Sequence, residues 1–153
     1  MSQRLRTKFT VDSNYLICLL QSTNTHHQAT VDDYQRRMEG GEVLYLIPHT
    51  LLESFSVITR LPAPYRKSAT EAHTLLRTNF GQFPLTEQPG SQEAWNLLAH
   101  LAATGIGGGR TYDSWIALTA HKAGMHEFVT WNARHFSPDG FGNLRIVEPA
   151  AKK

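Results

Sequence analysis

At 153 residues, with 15 basic against 13 acidic side chains and 41% hydrophobic residues, the chain has the size and composition of one globular domain. A chain of about that size buries roughly 70% of its extended surface, so no covalent staple is needed. Its single cysteine, Cys18, lies in an apolar run, excludes an internal disulfide and reads as a buried filler in a reducing compartment. A net charge of +2 spread over scattered arginines permits a phosphate-rich partner without demanding one. The early apolar stretch FTVDSNYLICLL is broken by Asp12, Ser13 and Asn14, so neither a secretory segment nor a membrane span is expected, and the chain reads as cytoplasmic.

In chain order, Phe9-Thr10-Val11 predicts a short strand, and Asp12-Ser13-Asn14 supplies cap chemistry for a helix over 15–20. Residues 28–39 predict a charged surface helix ending at Gly40-Gly41. The apolar run 43–47 predicts a second strand, and Pro48 opens a helix through Arg60 on which Leu51, Leu52, Phe55 and Ile58 form the core face. On that helix periodicity places Glu53 towards solvent. A helix over 68–80 follows, then a Pro-containing fragment, Phe83-Pro84-Leu85, that predicts a short edge strand. Residues 91–104 predict an amphipathic helix with Ala94, Trp95, Leu97, Leu98 and Leu101 as core candidates, stopped by Gly105.

The cluster Gly105-Ile106-Gly107-Gly108-Gly109 lacks a preceding strand and a following Gly-Lys-Ser/Thr, so it reads as a turn rather than a phosphate loop. Beyond it Thr111 is positioned to cap a helix that carries Asp113 in its first turn and ends at Gly124. Asp113 shares a face with Ile116, Ala117 and Ala120, at i+3, i+4 and i+7. A carboxylate on an apolar stripe must be protonated, paired or bound to a cation, since an isolated charge out of water costs at least several kcal/mol. Phe128-Val129-Thr130 and residues 144–147 predict the last strands, with Trp131 to Phe136 as a turn between them, and residues 150–153 read as a tail. The alternation of strands and helices predicts a single α/β domain over residues 1–149 with a mainly parallel sheet.

Asp12 stands at the carboxyl end of the first strand, where open α/β sheets place their binding crevice; it serves equally well as a plain N-cap. Zinc is disfavoured by the lack of a His-Glu-x-x-His or Cys/His cluster, and nucleophilic serine chemistry by the lack of a Gly-x-Ser-x-Gly elbow.

In FTVDSNYLICLL, PHTLLESFSVITRLP and GGGRTYDSWIALTAHKAGMHEFVTWNARHF, taken together in that order, the chain resembles the PIN-domain family, and more narrowly the VapC-type toxins of toxin–antitoxin pairs. The resemblance covers nearly the whole chain and implies a three-layer α/β/α fold with endoribonuclease activity. It further implies Mg²⁺ or Mn²⁺ held by Asp12, Glu53 and Asp113, a homodimer, and a cognate antitoxin whose C-terminal segment covers the cleft. Thr130, Asn132, Asn14, Arg110 and Arg134 then become candidates for supporting the carboxylates or contacting phosphate, the arginines reading equally as surface charge. The chain departs from the family's pattern at Asn132, where many members carry a further acid; Asn132 can donate a hydrogen bond but supplies no charge. That departure motivates an alternative, a PIN scaffold that binds antitoxin or RNA without turnover. A DNA-directed nuclease is a third reading, because nothing in the sequence reads the 2′-hydroxyl.

Overall fold

The computed structural model describes residues 5–136 and 141–149; the tail expected at residues 150–153 lies outside them. Strand β1 (Lys8–Val11) leads into helix α1 (Ser13–Leu20), with Asp12 as its N-cap, and α2 (His27–Glu39) returns the chain to β2 (Val43–Leu44). Pro48 opens α3 (Pro48–Arg60), and Ser68 caps α4 (Ala69–Phe80) by accepting from the Glu71 N–H. Helix α5 (Ser91–Thr104) stops at Gly105, whose φ of 72° is the left-handed geometry glycine adopts without strain. Helix α6 (Arg110–Lys122), β3 (Glu127–Val129), a 3₁₀ turn (Ala133–His135) and β4 (Arg145–Val147) complete the order.

The strands run parallel in the order β2-β1-β3-β4. Side chains alternate across a strand, so Phe9, Val11 and Val129 face the layer that includes α1 and α3, packing with Tyr15, Leu16, Ile58 and Leu76. Phe128 faces the other way, onto Ile116, Ala117 and Ala120 of α6. The result is the expected three-layer α/β/α arrangement. The chain passes from β1 to β2 on one side and later enters β3 on the other, which creates a switch point at the carboxyl ends of β1 and β3, where open sheets form their crevice.

Five expectations are corrected. The strand expected over 43–47 shortens to Val43–Leu44, and Phe83-Pro84-Leu85 contributes one parallel bridge, Leu46 to Leu85, in place of an edge strand. Proline's missing N–H limits what that segment can pair. On α3 the expected Leu51, Phe55 and Ile58 do pack on the core, but the fully buried stripe is Thr50, Ser54 and Ile58, and Leu52 is 71% exposed. The Thr50 and Ser54 hydroxyls donate to the Ile47 and Thr50 carbonyls, so they enter the interior already satisfied and apolar count alone misjudges the helix face. On α5 only Leu101 of the five core candidates is buried; Trp95 and Leu98 are 69% and 48% exposed, because the helix packs on α6 rather than on the sheet. Finally, Thr111 does not cap α6: Gly109 occupies the N-cap without a side-chain bond, and Thr111 already lies inside the helix.

Cys18 is buried, as expected of a filler. No helix among the described residues is long and apolar enough to cross a membrane.

At the amino end of the sheet the fold buries charge with full compensation. Arg37, on α2, donates to Asp33 at 2.9 Å, to Glu42 at 3.0 Å and to Glu127 at 3.3 Å, and its guanidinium lies over the Phe9 ring. Arg145 reaches the other Glu127 oxygen at 2.9 Å, and the Tyr15 hydroxyl donates to Asp33. Removing one partner from such a buried set strands the others, so Arg37→Ala is expected to cost about 3–5 kcal/mol, read as a lower midpoint in urea unfolding.

Candidate active site

The β1–β3 pairing carries the Asp12 N–H to the Val129 carbonyl at 3.0 Å and so sets Asp12 beside Thr130. Asp12 is 6% exposed. It caps α1, with Oδ1 accepting from the Ser13 N–H at 2.8 Å, while Oδ2 accepts from the Thr130 hydroxyl at 2.8 Å and, more weakly, from Asn14 Nδ2 at 3.4 Å. Both readings of Asp12 therefore hold at once: it is a cap and a carboxylate at the crevice. Asn14 ties the site together, donating to Thr130 Oγ1 at 3.1 Å and accepting from the Trp131 N–H at 3.1 Å.

Glu53 lies on the flank of the buried α3 stripe, and the Ser13 hydroxyl donates to it, so it turns towards Asp12 instead of fully to solvent. His49, one turn earlier on α3, stands 3.7 Å from the other Glu53 oxygen and stacks on Tyr112 of α6. Asp113 projects from the first turn of α6 and is partly buried. Arg110 and His135 lie close enough to act on its charge, and Arg110 donates to the His135 carbonyl at 3.4 Å.

Burial pushes the Asp12 carboxyl up from the ordinary range, the Thr130 and Ser13 hydrogen bonds oppose that, and the Glu53 and Asp113 charges add to it. Burial likewise raises Asp113, and Glu53 raises it further, against a downward pull from His135 and Arg110. The three carboxylates thus repel one another across one cleft. Neither Asp12 nor Asp113 makes an ion pair among the described residues, in contrast to Asp33 and Glu127 at the opposite end of the sheet. Among the described residues no three His, Cys, Asp or Glu side chains are drawn together at ligating spacing. The donors are nonetheless the hard oxygens that Mg²⁺ and Mn²⁺ take, and their mutual repulsion is what a cation relieves, so the residues present fit such an ion.

Of the remaining candidates, Thr130 and Asn14 join the cluster directly. Asn132 is exposed, and its backbone N–H donates to Thr130 Oγ1 at 3.1 Å. Arg134 stands aside from the carboxylates, on the rim of a groove shared with Asn14, Trp131 and Asn132. Sequence reading missed Ser13, His49 and His135 as neighbours of the acids. Ser13 follows Asp12 and His49 sits four residues before Glu53, a helical spacing that carried a signal for that pair.

No protein-family profile matches the chain. Two relatives from Mycobacterium tuberculosis do: ribonuclease VapC27 is 33% identical over 132 residues, 85% of this chain and 88% of the relative, and ribonuclease VapC40 is 32% identical over 113 residues, 74% and 78%. The DNA-bound VapBC complex from Salmonella typhimurium contains a chain of the same fold, with a TM-score of 0.65 at 19% identity, covering 94% of this chain and 99% of that one. The fold is that of a PIN domain. Within that class, the chain belongs to the VapC family of ribonuclease toxins.

A raised carboxyl holds its proton more tightly in the folded than in the unfolded chain, so its contribution to stability is present below the unfolded carboxyl range and is lost as pH rises through the folded value. At neutral pH the ionised Asp113 is therefore a cost to folding. Asp113→Asn is expected to raise Tm at pH 7 in EDTA by roughly 2–4 °C for each kcal/mol of charge-burial and repulsion cost removed. The gap should close as pH falls towards 4 in a thermal-melt series, and a gap that is flat with pH would contradict the repulsion.

Proposed function

We propose that this chain is a divalent-metal-dependent endoribonuclease, the toxin of a toxin–antitoxin pair acting in the cytoplasm. The observation that carries the reading is the convergence of Asp12, Asp113 and Glu53 on one cleft, where among the described residues neither aspartate is drawn into an ion pair, in a fold that pairs its other buried acids with arginine. The ribonuclease names of its relatives support the substrate class.

Asp12, Asp113 and Glu53 would hold Mg²⁺ or Mn²⁺, which when bound supplies a Lewis acid and an acidified water for attack on a phosphodiester. The chain's own groups set up the geometry around that ion. Thr130 and Asn14 fix the Asp12 carboxylate by hydrogen bonds to Oδ2, and Ser13 holds Glu53 in place. Arg110 and His135, on the Asp113 side, offer donors to the substrate phosphate, and Arg134 lies along the path on the Asp12 side. Asn132, at the place where the family's pattern often carries a further acid, leaves three formal negative charges, which suits one tightly held ion rather than two. A homodimer and a small antitoxin covering the cleft complete the reading; the VapBC complex of the same fold supports a partner of that kind.

The decisive experiment is cleavage of structured and total cellular RNA by the purified protein with Mg²⁺, Mn²⁺ or EDTA. Metal-dependent cleavage is expected, and Asp113→Asn should abolish it while circular dichroism stays native; full activity of that variant would remove Asp113 from the site. Thr130→Val, which keeps shape but loses the donor to Asp12, should cost about 10–100-fold in activity or metal affinity. RNA or partner binding without any turnover would instead favour the scaffold reading that Asn132 motivates.

A further inference from the structure

A second feature adjoins the carboxylates. Between α5 and α6 runs a groove of about 600 Å³, and Asp113 lines it from the α6 side. Its volume falls within the roughly 300–1,000 Å³ of ordinary small-molecule sites. The walls are apolar, from Leu97 and Leu101 on α5, Ile106 in the glycine turn and Leu118 on α6. The borders are not: Arg110 and His135 stand at the Asp113 end, His100 faces in from α5, and Lys122 closes the far end with Glu93 at 3.9 Å. Arg110, His100, His135 and Lys122 are exposed, and α5 packs chiefly on α6, so the groove is a trough on the surface rather than a packing defect of the core.

We propose that this trough seats the nucleotide of the RNA strand next to the cleaved phosphodiester, with its base against the Leu97–Ile106–Leu118 wall and its phosphate on Arg110. The assignment rests on the nuclease reading above and adds where the substrate lies. Three observations converge on a nucleic acid. The trough is continuous with Asp113, so a strand whose phosphate meets the carboxylates continues directly into it. Cationic donors sit at both ends, spaced along α6 by the 12 residues from Arg110 to Lys122, which at 1.5 Å per residue is about 18 Å, the reach of more than one nucleotide. Finally, His100 and His135 present rings at the border of an apolar wall, the combination on which unstacked bases rest in single-stranded RNA recognition. The only carboxylates facing the trough among the described residues are Asp113, assigned to the reacting end, and Glu93, which Lys122 already engages. A neutral apolar peptide segment would offer no anionic group to the Arg110 guanidinium.

The test is fluorescence anisotropy of a labelled single-stranded oligoribonucleotide with the full chain in EDTA, where no cleavage confuses the reading. Leu97→Trp and Ile106→Trp fill the trough from α5 and from the glycine turn, and Leu98→Ser, on the exposed side of α5, is the control. Each trough-filling variant is expected to weaken binding by about tenfold or more, the equivalent of losing one base contact, and to raise KM for RNA more than it lowers kcat. A 4-thiouridine in the oligonucleotide should crosslink to peptides of α5 and α6, and Leu98→Ser should bind as wild type. Both filling variants binding as wild type while folded by circular dichroism, or no binding by wild type at all, overturns the proposal. So does loss of association with the cognate antitoxin alongside unchanged RNA binding, which would make the trough a protein-docking groove. Because binding is read without metal, failure of cleavage counts against the nuclease reading alone.

Discussion

The parallel pairing of β1 with β3 is the constraint on which the rest of the structure depends. It is short, with Phe9, Thr10 and Val11 opposite Glu127, Phe128 and Val129, yet it joins segments more than a hundred residues apart. Through it Asp12 meets Thr130 at one end of the sheet and Glu127 is set within reach of Arg37 at the other. It also fixes which side chains face which layer, since a slip of one residue would exchange Phe9 and Val11 with Thr10 across the sheet. Without that register neither the interior nor the acid cluster exists.

The two ends of the sheet treat charge in opposite ways. At the amino end Asp33 and Glu127 are buried, and arginines with a tyrosine hydroxyl surround them, an arrangement that closes on itself. At the carboxyl end Asp12 receives only neutral donors, and Asp113 has cations nearby without an ion pair among the described residues. Neutral hydrogen bonds orient a carboxylate while leaving its negative charge available, whereas an arginine would consume it. The fold thus places its electrostatic strain at the proposed site, where a cation and a phosphate would be handled, in keeping with the general exchange of stability for function at active sites.

Much of this was legible in the chain. Proline at the start of α3, glycine after α5 and serine before α4 marked boundaries that the structure keeps, because each acts through local backbone chemistry. The partial burial of Asp113 was legible from its helical neighbours Ile116, Ala117 and Ala120 alone. What local pattern could not reach was rotation and partnership. Leu52 and Trp95 read as core because they are apolar, but the orientation of α3 is set by self-satisfied hydroxyls and that of α5 by packing chiefly on α6. Glu53 was assigned to solvent by the same logic, and its bond to Ser13 spans 40 residues, a distance no periodicity measures. For Glu53 the family resemblance, rather than its helix, carried the assignment.

The separation of Asp12 from Thr130 also sets an order in time. The hydrogen bond between them closes a loop of 118 residues, and contacts so distant in sequence form late because their entropy must be met first. A growing chain that has already made Asp12, Glu53 and even Asp113 still lacks the strand that brings the first of them to the cleft. Synthesis must pass residue 130 before the acid cluster can assemble. Unfinished or truncated chains therefore carry the acids without the site, a built-in delay in a protein whose activity, if released early, would fall on the RNA around its own synthesis.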